Sequence, residues 1–181
     1  NLPKLAMKYP SLLLSLDEIR ENISELFDEC LNTNTPFHRK IDLFVIPDGL
    51  AQRVMEATGL EVSGHWVCID NFGIIHTLEQ HGNPISEARR GQIAVEKEDF
   101  IKYLDIFLEP DEIRLSGKTK RTNQPLLQFI KVVEDKKFVI KEVRTVVSTK
   151  KQKVSRLVLH TMYKIKNKKK KNLLADLNNT H

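Results

Sequence analysis

Leu126-Leu127-Gln128-Phe129-Ile130-Lys131-Val132-Val133 opens a set of three apolar, β-branched runs. Phe138-Val139-Ile140-Lys141-Glu142-Val143-Arg144-Thr145-Val146-Val147-Ser148 follows, and then Val154-Ser155-Arg156-Leu157-Val158-Leu159-His160-Thr161-Met162-Tyr163-Lys164. Valine, isoleucine, phenylalanine, threonine and tyrosine at this density favour a pleated, packed backbone. The links, Glu134-Asp135-Lys136-Lys137 and Thr149 to Lys153, are too short for crossovers, so consecutive strands must pair antiparallel. A meander over about 126–164 is the expectation.

Upstream of Pro110 the period is helical. In Glu96 to Leu108, Phe100, Leu104, Phe107 and Leu108 recur at i, i+4, i+7 and i+8, and Pro110-Asp111 ends the run. Arg39 to Ile46 reads as an edge strand stopped at Pro47-Asp48-Gly49, Leu50 to Thr58 as a short helix closed by Gly59, and Val62 to Asp70 as a second extended stretch. Ile85 to Gln92 reads as a polar connection. Helices before and strands after predict an α+β fold, the helices packed on one face of the meander. Residues 1–39 read as an acidic helical arm or connector, opened by Ser15-Leu16-Asp17-Glu18, with Ile19, Ile23, Leu26 and Phe27 at helical spacing. The compact domain is expected over 40–165, and 166–181, with lysine at 168–171, as a basic mobile tail.

The chain has 181 residues, 40% hydrophobic and 29% charged, which describes a packed core and excludes a disordered chain. No apolar run approaches the roughly 18 residues of a membrane span. The first residue is Asn1, which points to an excised piece or a processed chain, and no secretory signal pattern is seen. Cys30 and Cys68 make no disulfide framework, and no Cys/His set has zinc spacing. The net charge of +5 hides a division: residues 1–112 carry 10 Lys/Arg against 20 Asp/Glu, and 113–172 carry 19 against 3. Such a basic half is the footprint of a polyanion-binding surface.

The chemistry-bearing stretch is Gly73-Ile74-Ile75-His76-Thr77-Leu78-Glu79-Gln80-His81-Gly82-Asn83-Pro84. Asp70-Asn71 supplies cap candidates, Gly82 suits a left-handed closure and Pro84 stops the helix. His76 and Gln80 share a face, Ile75 and Leu78 are expected toward a core, and His81 lies about 140° from His76. Imidazoles on such a helix suit acid–base work near neutral pH. On the last run, alternation puts Thr161 with Tyr163 on one face and His160 with Met162 on the other; a bulge would let His160 compete with Thr161.

The order of these pieces, from Ile75-His76 and His81-Gly82 through Arg90-Gly91-Gln92 and Glu109-Pro110-Asp111 to Leu159-His160-Thr161-Met162-Tyr163-Lys164, resembles the phage- and toxin-associated nucleases of the BECR class (barnase, EndoU, colicin E5/D, RelE-like) over about Lys40 to Lys166. The resemblance implies a metal-independent endoribonuclease that needs no cofactor and leaves a 2′,3′-cyclic phosphate. Its catalytic groups would be His76, His81, Thr161 and Tyr163, with Arg90, Lys141, Arg144 and Lys164 as substrate contacts. The implied partners are RNA, tRNA among the candidates, and a cognate inhibitor or immunity protein, with no membrane and no metal. The site of action would be cytoplasmic, the domain being delivered within a larger phage or toxin protein. The competing reading is a non-catalytic nucleic-acid-binding or phage structural-assembly module, which would use the same charge without His76.

Overall fold

A computed structural model describes residues 10–168, with side chains from residue 16 onward; the expected basic tail lies outside the described residues from 169 on. The elements in order are α1 (Pro10–Asn32), β1 (Lys40–Val45), α2 (Asp48–Thr58), β2 (Trp66–Asp70), α3 (Asn71–His81), α4 (Pro84–Arg89), β3 (Gln92–Ile93), α5 (Lys97–Ile101), α6 (Tyr103–Leu108), β4 (Glu112–Lys118), β5 (Pro125–Val133), β6 (Lys136–Ser148) and β7 (Lys153–Lys166). The sheet runs β1-β2-β7-β6-β5-β4, with β3 added on the end of β7. The β4 to β7 neighbours are all antiparallel, as the short links require, and β2 joins β7 in parallel. The fold is α+β, an open, mostly antiparallel sheet with helices, and no helix among the described residues is long and apolar enough to cross a membrane.

One face of the sheet carries the core. Leu127 and Phe129 of β5, Phe138 and Ile140 of β6, and Leu157, Leu159 and Met162 of β7 join Phe100, Tyr103, Leu104 and Phe107 in a single apolar cluster. The stretch read as an arm contributes to that cluster as well. Leu16, Ile19, Ile23, Leu26 and Phe27 of α1 are all buried in it: the stripe of this amphipathic helix packs on α5 and α3 and touches β1, with the Phe27 ring 5.5 Å from that of Phe100. The helix begins at Pro10, earlier than the Ser15 opening.

Four local readings are corrected. The helix expected over 96–108 is two, α5 and α6, broken at Lys102. Asp99, third in α5, accepts from the Glu96 backbone N–H at 2.8 Å and also pairs with buried Lys164 at 2.7 Å, which holds the first helix in place. The polar connection at 85–92 contains α4, since Pro84 sits at its first position and the Asn83 side chain accepts from the N–H groups of Ile85 and Ser86. Proline here starts a helix. Gly82 is not left-handed: its φ is −91°, and its N–H reaches the Leu78 carbonyl at 2.8 Å. Finally, the buried positions of α3 are Asn71, Gly73, Ile74 and Thr77, with Ile75 and Leu78 only half-buried. Two elements escaped the sequence: β4, an edge strand whose charged residues leave only Ile113 buried, and the two-residue β3.

On the core face of β6, Glu142 is fully buried and accepts a hydrogen bond from the Tyr103 hydroxyl, while its second oxygen has no partner. Burial pushes its carboxyl well above the ordinary carboxylate range; the Tyr103 hydrogen bond pulls back and the Asp70 charge adds to the rise. Above the ordinary carboxyl pKa the unfolded chain releases this proton and the folded chain keeps it, so the native state loses ground as pH climbs. Glu142→Gln, which mimics the protonated acid, is therefore expected to gain in melting temperature over the wild type as pH rises from 4 to 8 (about those limits). A gain that is flat across this range would show that Glu142 is ionised in the fold.

Candidate active site

The site is built where the sheet is interrupted. β7 is paired by β2 along Arg156–Val158 and by β3 at Lys164 and Ile165. Between these stretches α3 packs on the strand. Gly73 lets it come close, since a Cβ there would stand 2.3 Å from the Leu159 carbonyl oxygen. The Asp70 carboxylate caps the helix, accepting from the Gly73 N–H at 2.8 Å. One turn on, the His76 ring meets that of His160, centroids 5.0 Å apart and tilted by 41°.

A bulge aims the strand. Lys141 pairs with Thr161 but Glu142 pairs with Leu159, so His160 is the extra residue. Leu157 and Leu159 belong to the core before it and Met162 after it, while His160 and Thr161 line one cavity together. The competition between His160 and Thr161 is resolved by admitting both. Thr161 is buried and its hydroxyl has no partner, an orphaned polar atom at a cavity wall.

That cavity, of about 580 Å³, is lined on the helix side by His76, Gln80 and His81. Its far wall is the β4–β5 turn, which brings Lys118, Lys120 and Arg121 against the histidines. The turn is firmly tied: the Thr119 hydroxyl lies 2.6 Å from that of Thr122 and accepts from the Gln124 N–H at 3.0 Å. Asn123 takes the left-handed φ of 52° that closes it.

His81 is held by a fully buried carboxylate. Its Nδ1 lies 3.1 Å from Glu87 Oε2 and 3.2 Å from Gln92 Oε1, both acceptors, so Nδ1 carries the proton and Nε2 is left for the cavity. The other Glu87 oxygen is 3.2 Å from Arg90. The His81 ring stands 5.4 Å from the Tyr163 ring, over which Lys141 Nζ lies at 5.8 Å. Burial drives the His160 imidazole below its ordinary pKa, and the charges of His76 and Lys141 add to the effect, so the ring is biased toward the neutral, proton-accepting form. Burial likewise raises the Tyr163 hydroxyl, keeping it protonated as a donor.

His76, His81 and Thr161 thus share one cavity, and Tyr163 adjoins it through His81. The expected cations divide differently. Arg90 donates to the Gln80 carbonyl at 2.9 Å and ties α3 to α4. Arg144 is on the other face of β6 from Lys141, donating to Nε2 of buried His65 at 3.0 Å, and Lys164 is buried against Asp99. The sequence reading missed Lys118, Lys120 and Arg121, whose signal was a cationic turn ahead of the meander, and Glu87, which looked like one more surface acid.

Among the described residues no group of three or more His, Cys, Asp and Glu is placed to hold a metal ion. The α+β sheet thus sets a cationic turn against imidazoles carried on a helix and on a bulged strand. A family model described as phage-Barnase-EndoU-ColicinE5/D-RelE like nuclease 3 matches residues 45–172, well over half of the chain. The chain belongs to this nuclease family. No match was found among curated proteins or among solved structures.

Proposed function

We propose that the protein is a metal-independent endoribonuclease that cuts RNA by attack of a ribose 2′-hydroxyl. The observation that carries this reading is the convergence of three imidazoles and an unpartnered Thr161 hydroxyl on one cavity walled by three cations. His76, with the His160 ring packed on it, takes the 2′-hydroxyl proton as the 2′-oxygen bonds to phosphorus. In its doubly protonated form, with Nδ1 held by Glu87, His81 delivers the Nε2 proton to the 5′-oxygen as its bond to phosphorus breaks, leaving a 2′,3′-cyclic phosphate. Arg121, Lys118 and Lys120 bind the phosphate and its neighbours, Thr161 donates to a phosphate oxygen, and Lys141 stands over Tyr163. Arg90, Arg144 and Lys164 are read as structural cations. RNA, tRNA included, is the proposed partner and the cytoplasm the proposed place of action; a cognate inhibitor would cover the cationic cleft.

Glu87 acts through His81, as the residue that orients it. The test is cleavage of single-stranded RNA in EDTA by the wild type and by Glu87→Gln, which keeps the shape but weakens the hold on Nδ1. Wild-type cutting is expected to survive the chelator. The variant should lose about 10–100-fold in kcat, with KM little changed and an altered pH profile. Unaltered kcat and pH profile would remove Glu87 as the residue that orients His81, and loss of wild-type cutting in EDTA would remove metal independence.

A further inference from the structure

A second cavity, of about 490 Å³, lies on the Phe72 side of His76 and shares His76, Arg121, Val143 and His160 with the first. We propose that it holds an unstacked nucleobase adjoining the phosphate being cut, which makes the target single-stranded RNA; this rests on the ribonuclease reading and adds the subsite that selects the substrate.

Val143 is common to both cavities; the second adds Val158 and Leu159 to its floor and a phenyl ring at its edge, which the first lacks. Phe72, on the first turn of α3, is 56% exposed, a large ring left in water at the cavity edge. It leans on the His38 ring with centroids 4.9 Å apart, and His38 also lines the cavity, so the two rings offer a platform for a base face.

The rim has groups that read a base edge. The Asp70 carboxylate spends Oδ1 on the Gly73 N–H, and its Oδ2 is 3.6 Å from His38 Nε2, leaving acceptor capacity at the cavity. The Thr145 hydroxyl is buried and has no partner, and Lys40 supplies a donor. Because the cavities meet at His76 and Arg121, a base in one places its own phosphate in the other. A base held in a duplex stack cannot enter.

The experiment is fluorescence anisotropy of the full chain with a labelled 2′-fluoro oligonucleotide, which lacks the attacking hydroxyl, against an abasic strand of equal length and charge. Wild type is expected to prefer the base-bearing strand by about tenfold or more, and to lose that preference when the strand is annealed to its complement. Phe72→Ala, at an exposed position that the core does not need, should erase most of the preference while leaving the salt dependence unchanged; Phe72→Tyr should keep it. Equal binding of both strands by wild type, or an undiminished preference in Phe72→Ala, would overturn the subsite. Cleavage of the all-ribose strand is read on the same preparation. Base preference without cleavage would reject the nuclease mechanism alone, and cleavage without base preference would reject the subsite alone.

Discussion

His76→Ala is expected to keep its fold and lose about 10²–10⁴-fold in cleavage rate, the usual contribution of a general acid or base. The fold should survive because α3 is anchored by other residues. Gly73 lies on the Leu159 carbonyl, Ile74 and Thr77 are fully buried, and Asp70 caps the first turn. The His76 ring is half-buried and packs on the ring of His160 at the cavity that both line. Truncating it empties cavity wall and leaves the core intact. Circular dichroism and a thermal melt matching the wild type, with single-turnover rates of RNA cleavage, separate loss of chemistry from loss of structure. Full activity in this variant would move the chemistry off His76; absence of cleavage in wild type with RNA binding retained would favour the binding-module reading.

The second large effect belongs to the β4–β5 turn. Replacing Lys118, Lys120 and Arg121 together by alanine should lower kcat/KM about 100-fold or more at low salt, taking about 1 kcal/mol or more for each charge-assisted contact. The three are exposed, and the turn is tied by Thr119 and Asn123 rather than by them, so the hairpin should persist. The slope of log affinity against log salt should flatten by about 2, since each phosphate contact on a single strand contributes about 0.7. An unchanged slope would place the RNA on another surface of the basic half.

The sheet was legible because its strands are long, apolar and joined by short links: β5, β6 and β7 lie within a few residues of their sequence boundaries. β4 was not legible, since an edge strand that buries one of its residues carries no apolar signature. At the site, the His76 helix and its Asp70 cap could be read from local pattern. What could not be read is long-range. The bulge at His160 depends on the pairing with β6, and the carboxylate under His81 depends on α4 folding back beneath it. Arg144 and Lys164 illustrate the converse. Both sit in a strongly basic stretch, yet strand alternation turns them to the core face, where His65 and Asp99 are their partners. Charge counting cannot tell a cleft lysine from a buried one.

The central claim is attack by a ribose 2′-hydroxyl, and the most direct measurement is cleavage of a chimeric oligonucleotide. A single-stranded RNA is first cut by the wild-type chain and its cut site and end groups mapped; the same strand is then made with 2′-deoxyribose at that one position. The account predicts a 2′,3′-cyclic phosphate on the upstream product and a 5′-hydroxyl on the downstream one, with no cut at the deoxy position. Cleavage at that position at an undiminished rate, or a 5′-phosphate on the downstream product, would contradict it.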